Sequence, residues 1–224
     1  MYILHIDSTT KICSVAISNK DKLLELTEVD SDKLVHSEKL HLFIETCLKK
    51  ANIKIGDLTA VTVSKGPGSY TGLRIGVSAA KGLAYGLGIH LISVDTLEAM
   101  MDSVVGTVES NAVLIPMIDA RRMEVFCSVY QDHKCINPVC AKVLDELSFT
   151  EFKESPVYYF GDGASKATEI LHPEFKFIDG VKTSAINLIS LAWEKYKAKD
   201  FENIAYFEPF YLKDFLAGKP KKML

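Results

Sequence analysis

The residues with the strongest potential for chemistry lie in the stretch SKGPGSYTGLRIG at 64–76, which holds four glycines and one arginine. Glycine-rich turns before helices often bind phosphate. The phosphate loop of nucleotide hydrolases requires G-x-x-x-x-G-K-[ST], and no Gly-Lys-Ser/Thr sequence occurs in this chain. The dinucleotide motif G-x-G-x-x-G also fails, because Gly66 and Gly68 are followed by Gly72, one residue late. The stretch is therefore not a phosphate loop of either type. The one alternative left open is the binding of an anion near the start of the next helix.

Two carboxylates, Asp7 and Asp119, form the second candidate site. Each follows an isoleucine at the end of an apolar run, in HID and MID. At the ends of two equivalent strands they could flank a cleft, with Ser8 beside Asp7, and hold magnesium or polarise a water. An ATP-dependent phosphotransferase or ATPase would use them in this way. The glycine-free turn STTKIC after Asp7 argues against that enzyme.

Other catalytic and metal-binding arrangements have little support. His36 and His41 are five residues apart, which places them on different sides of a helix. The five cysteines include no C-x-x-C pair. Because no Ser–His–Asp or Cys–His set can be assembled, a peptidase is the least favoured activity. We expect no catalytic residue and no metal ligand.

Small residues follow two stripes along a helix predicted at 71–87. Gly72, Gly76 and Ala80 form one stripe, and Ser78, Gly82 and Gly86 form the other. Each glycine costs a helix about 1 kcal/mol relative to alanine, so a packing benefit must offset it. The larger apolar residues of this helix share no single face, which is typical of a helix buried on more than one side. It packs either within its own domain or partly against another chain.

The overall composition fits one large or two small globular domains. The 224 residues are 48% hydrophobic and 25% charged, with a net charge of −3 that gives no general attraction to nucleic acid. We expect a cytoplasmic protein, because the N-terminal apolar run is interrupted by Asp7 and no run approaches a membrane span. The lysines at the C-terminal end favour a solvated tail over an RNA contact. They are Lys213, Lys219, Lys221 and Lys222.

The elements that position these residues follow from apolar periodicity. Three short strands at 2–7, 12–18 and 22–29 predict an antiparallel meander. A helix at 37–52 carries Leu40, Ile44 and Cys47 on one face, with Leu42 off that face. Strands at 58–64 and 89–95 flank the glycine-rich helix. A further helix, capped by Asp95, should extend to about residue 105.

The chain then begins the same pattern again. Ile118-Asp119 repeats Ile6-Asp7, and CSV at 127–129 repeats CSV at 13–15. This repetition predicts an internal duplication with two lobes, at 1–106 and 107–224, each a mixed sheet flanked by helices. A last helix is predicted at 184–198, and the aromatic segment EPFYL could cross back to the first lobe.

Seven segments together resemble the TsaB family, also called YeaZ: ILHIDSTT, HSEKL, VSKGPGSYTGLRIGVSAAKGLAYGLGI, TLEAM, PMIDARRMEVF, GDGA and PFYL. The resemblance implies an α/β, two-lobed, actin-like (ASKHA) fold with ribonuclease-H-like lobes. It also implies a non-catalytic scaffold for tRNA N6-threonylcarbamoyladenosine formation beside the anticodon.

The resemblance further implies the partners. By this resemblance, a TsaD-like transferase carries the metal and the catalytic residues, and a TsaE-like ATPase is a further partner. The chain contacts tRNA only through the complex, and alone it forms a homodimer. Helices 37–52 and 71–87 would form the interface. The resemblance does not specify which face of helix 71–87 contacts the partner. Its implied members are Leu42, Gly72, Leu73, Arg74, Gly76, Val77, Ala80, Lys81 and Ala84. Asp7, Ser8 and Asp119 would be a vestigial nucleotide cleft. The chain is expected to hold no cofactor of its own, and whether ATP or ADP sits at the interface of the complex stays open.

Overall fold

The first of two sheets lies in the N-terminal half of the computed structural model, which describes residues 1–31 and 36–213. Its strands are β1 Tyr2–Asp7, β2 Ile12–Asn19, β3 Lys22–Asp30, β4 Leu58–Gly66 and β5 His90–Asp95. They are ordered β3-β2-β1-β4-β5. The first three strands are antiparallel neighbours, which confirms the predicted meander, and β4 and β5 continue the sheet parallel to β1.

The second sheet repeats this arrangement. Its strands are β6 Val113–Asp119, β7 Glu124–Gln131, β8 Lys134–Val143, β9 Val157–Phe160 and β10 Lys176–Ile178. They are ordered β8-β7-β6-β9-β10, with the same pattern of antiparallel and parallel pairs as in the first sheet. The duplication predicted from the two Ile-Asp strand ends is therefore confirmed, since β1 and β6 are the central strands of equivalent sheets.

The helices are α1 His36–Lys50, α2 Tyr70–Leu87, α3 Thr96–Asp102 and α4 Ile189–Ala198. The predictions at 37–52 and 71–87 are confirmed within two residues. The α3 helix ends three residues before the predicted position, because Val104 and Val105 both donate to the Met101 carbonyl and form a turn. The predicted helix at 184–198 begins as a 3-10 turn, Ala185–Leu188, before it becomes α-helical. None of these four helices has the length and apolar content that a membrane span requires.

Alternating side chains place helices on both faces of the first sheet. Leu4 and Ile6 of β1 pack with the buried sides of α1 and α2, whereas Ile3 packs on the opposite face with Ala192 of α4. In the second lobe, 3-10 turns stand where the first lobe has α1 and α2: Thr150–Phe152 between β8 and β9, and Ser165–Ala167 between β9 and β10.

The chain after the second sheet returns to the first. Phe210 N donates to Lys65 O at 2.7 Å, and Lys81 Nζ of α2 donates to Phe207 O at 2.7 Å. The chain from α4 to Phe210 therefore returns to the first lobe, although the predicted second lobe ran from 107 to 224. Leu212 packs instead in the second-lobe cluster that contains Phe126, and Lys213 pairs with Glu124 of β7. The predicted division between residues 106 and 107 falls in the connection from α3 to β6. Three of the tail lysines, Lys219, Lys221 and Lys222, lie outside the described residues.

Candidate functional site

The glycine-rich stretch is a turn between β4 and α2. The strand ends at Gly66, whose φ of 117° lies where side chains are strained. Ser69 then caps α2, because its Oγ accepts from Gly72 N at 3.3 Å. Ser69 N donates to Thr9 O at 2.6 Å, which fixes the turn on the loop between β1 and β2. The helix start is thus held against a backbone carbonyl of the same chain.

Three glycines allow this close approach. A Cβ atom on Gly68 would lie 2.5 Å from Thr9 O, and one on Gly72 or Gly76 would overlap Ser8 O or Ser8 Oγ. Ser8 Oγ also donates to Gly72 O at 2.9 Å. The glycines therefore let α2 pack on the first loop of its own lobe. Of the two alternatives that the sequence left open for this stripe, the contacts of Gly72 and Gly76 match packing within the domain.

Most of the predicted interface residues are buried within the chain. Six of the nine lie on the side of α2 that faces the sheet: Gly72, Leu73, Gly76, Val77, Ala80 and Ala84. These residues already pack inside the lobe, so little of their surface is accessible in this conformation. The other three remain accessible, since Leu42 is 59% exposed, Arg74 is exposed and Lys81 is half-buried.

The opposite side of α2 is open. We define the α2 outer face as Arg74, Ser78, Gly82, Tyr85 and Gly86, all of them exposed. Nothing lies within 4 Å of a Cβ atom placed on Gly82 or Gly86, and Tyr85 is 81% exposed. The second small-residue stripe in the sequence is therefore the one that faces outward.

The C-terminal segment borders this outer face. Arg74 Nε donates to the Tyr211 hydroxyl at 3.2 Å, and the Arg74 guanidinium lies 4.3 Å from the centre of the Tyr70 ring. Tyr70 and Tyr211 also contact each other, with ring centres 4.8 Å apart. Sequence reasoning missed this aromatic edge, because the aromatic contacts join residues far apart in the chain.

A cleft of about 700 Å³ lies between the two lobes. Its first-lobe wall comes from the loop after β1 and the end of β3, and its second-lobe wall comes from segments around Gly161 and Gly180. Four carboxylates line it: Asp30, Asp119, Asp162 and Asp179. Two lysines, Lys11 and Lys182, also line it. The cleft is therefore richer in acidic than in basic groups.

Hydrogen bonds across the lobes close one end of the cleft. Thr10 Oγ1 and Thr183 Oγ1 are 2.6 Å apart, and both residues are buried. Lys182 Nζ donates to Asp30 Oδ2 at 2.7 Å, across the same boundary. The loop after β1 is thus tied to the second lobe as well as to α2.

Asp7 is buried and its carboxylate is fully engaged. Oδ1 accepts from Thr9 N at 3.0 Å and Thr9 Oγ1 at 2.7 Å, and Oδ2 accepts from Ser64 Oγ at 2.6 Å. Burial raises the pKa of Asp7, against the hydrogen bonds from Ser64 and Thr9, which lower it. Asp7 therefore stabilises its own turn, with Ser8 turned toward α2.

Asp119 has a different environment, although it occupies the equivalent strand end. Its side chain is 49% exposed, it pairs with Lys166, and it lines the cleft. Asp162 Oδ1 accepts from Asp119 N at 3.3 Å. Although part of Asp162 reaches solvent, burial of its carboxyl group raises the pKa to about 6, and the Asp119 charge adds to that shift. The structure thus separates Asp7 from Asp119 in role and brings Asp119 together with Asp162 and Lys166.

Sequence reasoning missed Asp162 and Lys166, although a signal was present. Gly163 follows β9 as Gly68 follows β4, and a Cβ atom on it would lie 2.7 Å from the Ile118 carbonyl carbon. Both lobes thus use a glycine turn after the first parallel strand to pack on the end of the central strand. The GDGA motif could have been aligned with the glycine-rich stretch to find Asp162. Within 1–31 and 36–213, no group of three or more His, Cys, Asp or Glu side chains is placed to hold a metal ion.

Two equivalent lobes with a cleft between them define the class of two-lobed, actin-like α/β proteins. The solved structure of "YeaZ from Pseudomonas aeruginosa" aligns with a TM-score of 0.82 at 20% identity, over 94% of this chain and 99% of that one. An activator of 2-hydroxyisocaproyl-CoA dehydratase from Clostridium difficile, solved with ADPNP, aligns with a TM-score of 0.52 at 10% identity, over 91% and 99%. These similarities confirm the predicted fold class.

Sequence comparisons identify the family. A family model described as "TsaD: tRNA N6-adenosine threonylcarbamoyltransferase" matches residues 32–221. The "tRNA threonylcarbamoyladenosine biosynthesis protein TsaB" of Bacillus subtilis is 30% identical over 170 residues, which cover 74% of this chain and 72% of the relative. The TsaB of Haemophilus influenzae is 24% identical over 97% of this chain and 95% of its own. The chain carries a TsaD-like domain and belongs to the TsaB (YeaZ) family, as the sequence motifs predicted.

Proposed function

We propose that this chain acts in the formation of threonylcarbamoyladenosine in tRNA, as a non-catalytic subunit that binds and activates a TsaD-type transferase. The observation that carries the proposal is similarity over nearly the whole chain to relatives named for this biosynthesis. The finer assignments belong to the same proposal: a TsaE-like ATPase as a further partner, contact with tRNA only through the complex, self-association of the chain alone, and a cytoplasmic location.

The carboxylates support a non-catalytic role. Both oxygens of Asp7 accept hydrogen bonds from Thr9 and Ser64 of the same chain. Lys166 pairs with Asp119 and also donates to the carbonyls of Arg122 and Glu124. Each carboxylate therefore stabilises the turn in which it lies. A catalytic role would require these bonds to be exchanged for bonds to a substrate or an ion.

The transferase binds, in this proposal, to the α2 outer face together with Leu42 of α1. An exposed leucine and an exposed tyrosine supply apolar area, and Gly82 and Gly86 leave room for a second helix to approach closely. The inward stripe of Gly72 and Gly76 does not take part. The binding face thus differs from the one that the first stripe suggested.

Sedimentation of the chain mixed with its own TsaD tests this proposal. Gly82→Leu adds a bulky side chain where the free chain has open space, so it should fold normally and weaken the complex by at least about tenfold. Gly56→Leu is the matched control, because Gly56 is equally open but lies in the turn before β4. A complex that tolerates Gly82→Leu would exclude this face, and the lack of any complex with the unmodified chain would overturn the binding role.

An ATP-dependent phosphotransferase or ATPase remains the second candidate, because the cleft between the lobes has room for a nucleotide. The four carboxylates on its walls oppose a polyphosphate unless a cation accompanies it. We propose that the chain alone holds no cofactor and that any ATP or ADP sits at the interface of the complex. Calorimetry of the isolated chain with Mg-ATP decides: tight binding that Asp119→Asn abolishes would favour the enzyme.

A further inference from the structure

Two cysteines face each other across strands of the second sheet. Cys127 of β7 pairs in register with Cys140 of β8, and their Sγ atoms are 3.8 Å apart. Both are free thiols, and Cys127 is buried whereas Cys140 is exposed. Neither residue lines the cleft or belongs to the α2 outer face. An accessible thiol with a second thiol within reach can undergo thiol–disulfide exchange, in which the second thiol resolves the mixed disulfide.

The backbone geometry suits a bond between them. Directly opposed residues in antiparallel strands have Cα atoms about 4.5 or 5.5 Å apart, within the range of about 4.4–6.8 Å found for disulfides. Rotation of the side chains therefore suffices to close the remaining gap between the sulfurs. In addition, β8 is an edge strand, and the β7–β8 register shifts immediately after Cys127. The strand that carries Cys140 can adjust without disturbing a neighbour on its other side.

We propose that Cys127 and Cys140 form a modification site, at which a small-molecule disulfide such as oxidised glutathione installs a reversible cross-strand bond. The Cys140 thiolate attacks one sulfur of oxidised glutathione, and one glutathione thiolate leaves. The Cys127 thiol then loses its proton to water, its sulfur attacks Cys140 Sγ, and the second glutathione thiolate leaves. Two protein thiols become one disulfide, while one oxidised glutathione becomes two reduced glutathione molecules.

The surroundings set the order of these steps. Cys140 meets the oxidant first because it is exposed. Burial raises the pKa of Cys127, and the neighbouring Cys140 raises it further, so few Cys127 thiolates are present and the second step is the slower one. The bond joins β8 to β7 at the place where the register of their pairing shifts.

The remaining exposed cysteine does not fit the site. Cys135 also lies on β8, but it pairs with Tyr130, whose side chain packs on the opposite face of the sheet from Cys127. The Cys135 thiol donates to Asn137 O at 3.3 Å. Cys135 therefore provides a matched control on the same strand.

Peptide mapping of the folded full-length chain tests the proposal. After incubation with oxidised glutathione and alkylation, trypsin should release MEVFCSVYQDHK joined by a disulfide to CINPVCAK, and dithiothreitol should separate the two. Because the second peptide contains two cysteines, variants assign the bond. Cys140→Ser should abolish the joined peptides, whereas Cys135→Ser should retain them.

Each of three results would overturn the site. The first is an unmodified chain, with both peptides alkylated after prolonged oxidation. The second is glutathione retained on Cys140 with no joined peptide, which would mean that Cys127 cannot resolve the mixed disulfide. The third is loss of the joined peptides in Cys135→Ser but not in Cys140→Ser. The serine substitutions are at exposed positions, so both variants should fold.

Discussion

Alanine at two glycine positions of α2 should change stability in opposite directions. Gly72 faces the Ser8 carbonyl oxygen and Gly82 faces open space, although both lie in the same helix. Helix propensity alone favours alanine at either position, by up to about 1 kcal/mol. A test of these two sites therefore separates propensity from packing within one element.

The magnitudes follow from the contacts. At Gly82 nothing opposes the propensity gain, so Gly82→Ala should raise the free energy of unfolding by about 0.5–1 kcal/mol. At Gly72 the new methyl group would overlap a main-chain oxygen that cannot rotate away, and overpacking of this kind costs about 1–3 kcal/mol. Because Gly72 lies in the first turn, little propensity gain offsets that cost. Gly72→Ala should therefore lower the free energy of unfolding by about 1–2 kcal/mol.

Gly76 tests whether steric overlap with Ser8 causes the loss of stability. Its Cβ would overlap Ser8 Oγ, a side-chain atom, so Ser8→Ala should remove most of the cost of Gly76→Ala but none of the cost of Gly72→Ala. Urea unfolding followed by circular dichroism measures the four single variants and the two double variants that combine Ser8→Ala with Gly72→Ala or Gly76→Ala, with equal denaturant slopes required for the comparison. The reasoning is refuted if Gly72→Ala and Gly82→Ala shift the midpoint in the same direction, or if Ser8→Ala rescues both inward glycines alike.

Two further predictions concern buried polar groups. Burial lowers the pKa of His5 to about 3, so the fold should lose stability as the pH falls from 6.5 toward 3, by up to about 1.4 kcal/mol per pH unit. His5→Asn should remove this pH dependence of the free energy of unfolding. If urea unfolding shows the same pH dependence in the variant, another titratable group is responsible. Thr10→Val and Thr183→Val should show a coupling of about 1 kcal/mol in a double-mutant cycle, because their hydroxyls are 2.6 Å apart across the lobes; additive losses would mean that this bond does not join the lobes.

The duplication could be predicted because it rests on local patterns. Ile6-Asp7 and Ile118-Asp119 end central strands, and the apolar alternation around them is sufficient to define the antiparallel strands that follow. The sequence could not show that the two aspartates have different roles, since those roles depend on distant partners. Asp7 bonds to Ser64 of β4, and Asp119 pairs with Lys166 beyond β9.

The side of α2 that packs on the sheet also could not be predicted from the sequence. Small residues recur every four positions on both of its sides, so periodicity alone does not say which side lies on the sheet. The contacts with the loop after β1 decide the orientation: Thr9 O approaches Gly68, Ser8 O approaches Gly72, and Ser8 Oγ approaches Gly76. The nine predicted interface residues were taken mostly from that side, and for this reason six of them proved to be buried.

The duplication also accounts for the position of the α2 outer face, which has no helical equivalent in the described part of the second lobe. Both lobes pack a glycine turn on the end of the central strand, Gly68 on Thr9 and Gly163 on Ile118. In the first lobe the chain then continues as an 18-residue helix, whose far side stays open, whereas in the second it makes a three-residue 3-10 turn. A 3-10 turn of that length cannot present a face to a second helix. If the proposed partner recognises paired helices, the first lobe is the one that presents them.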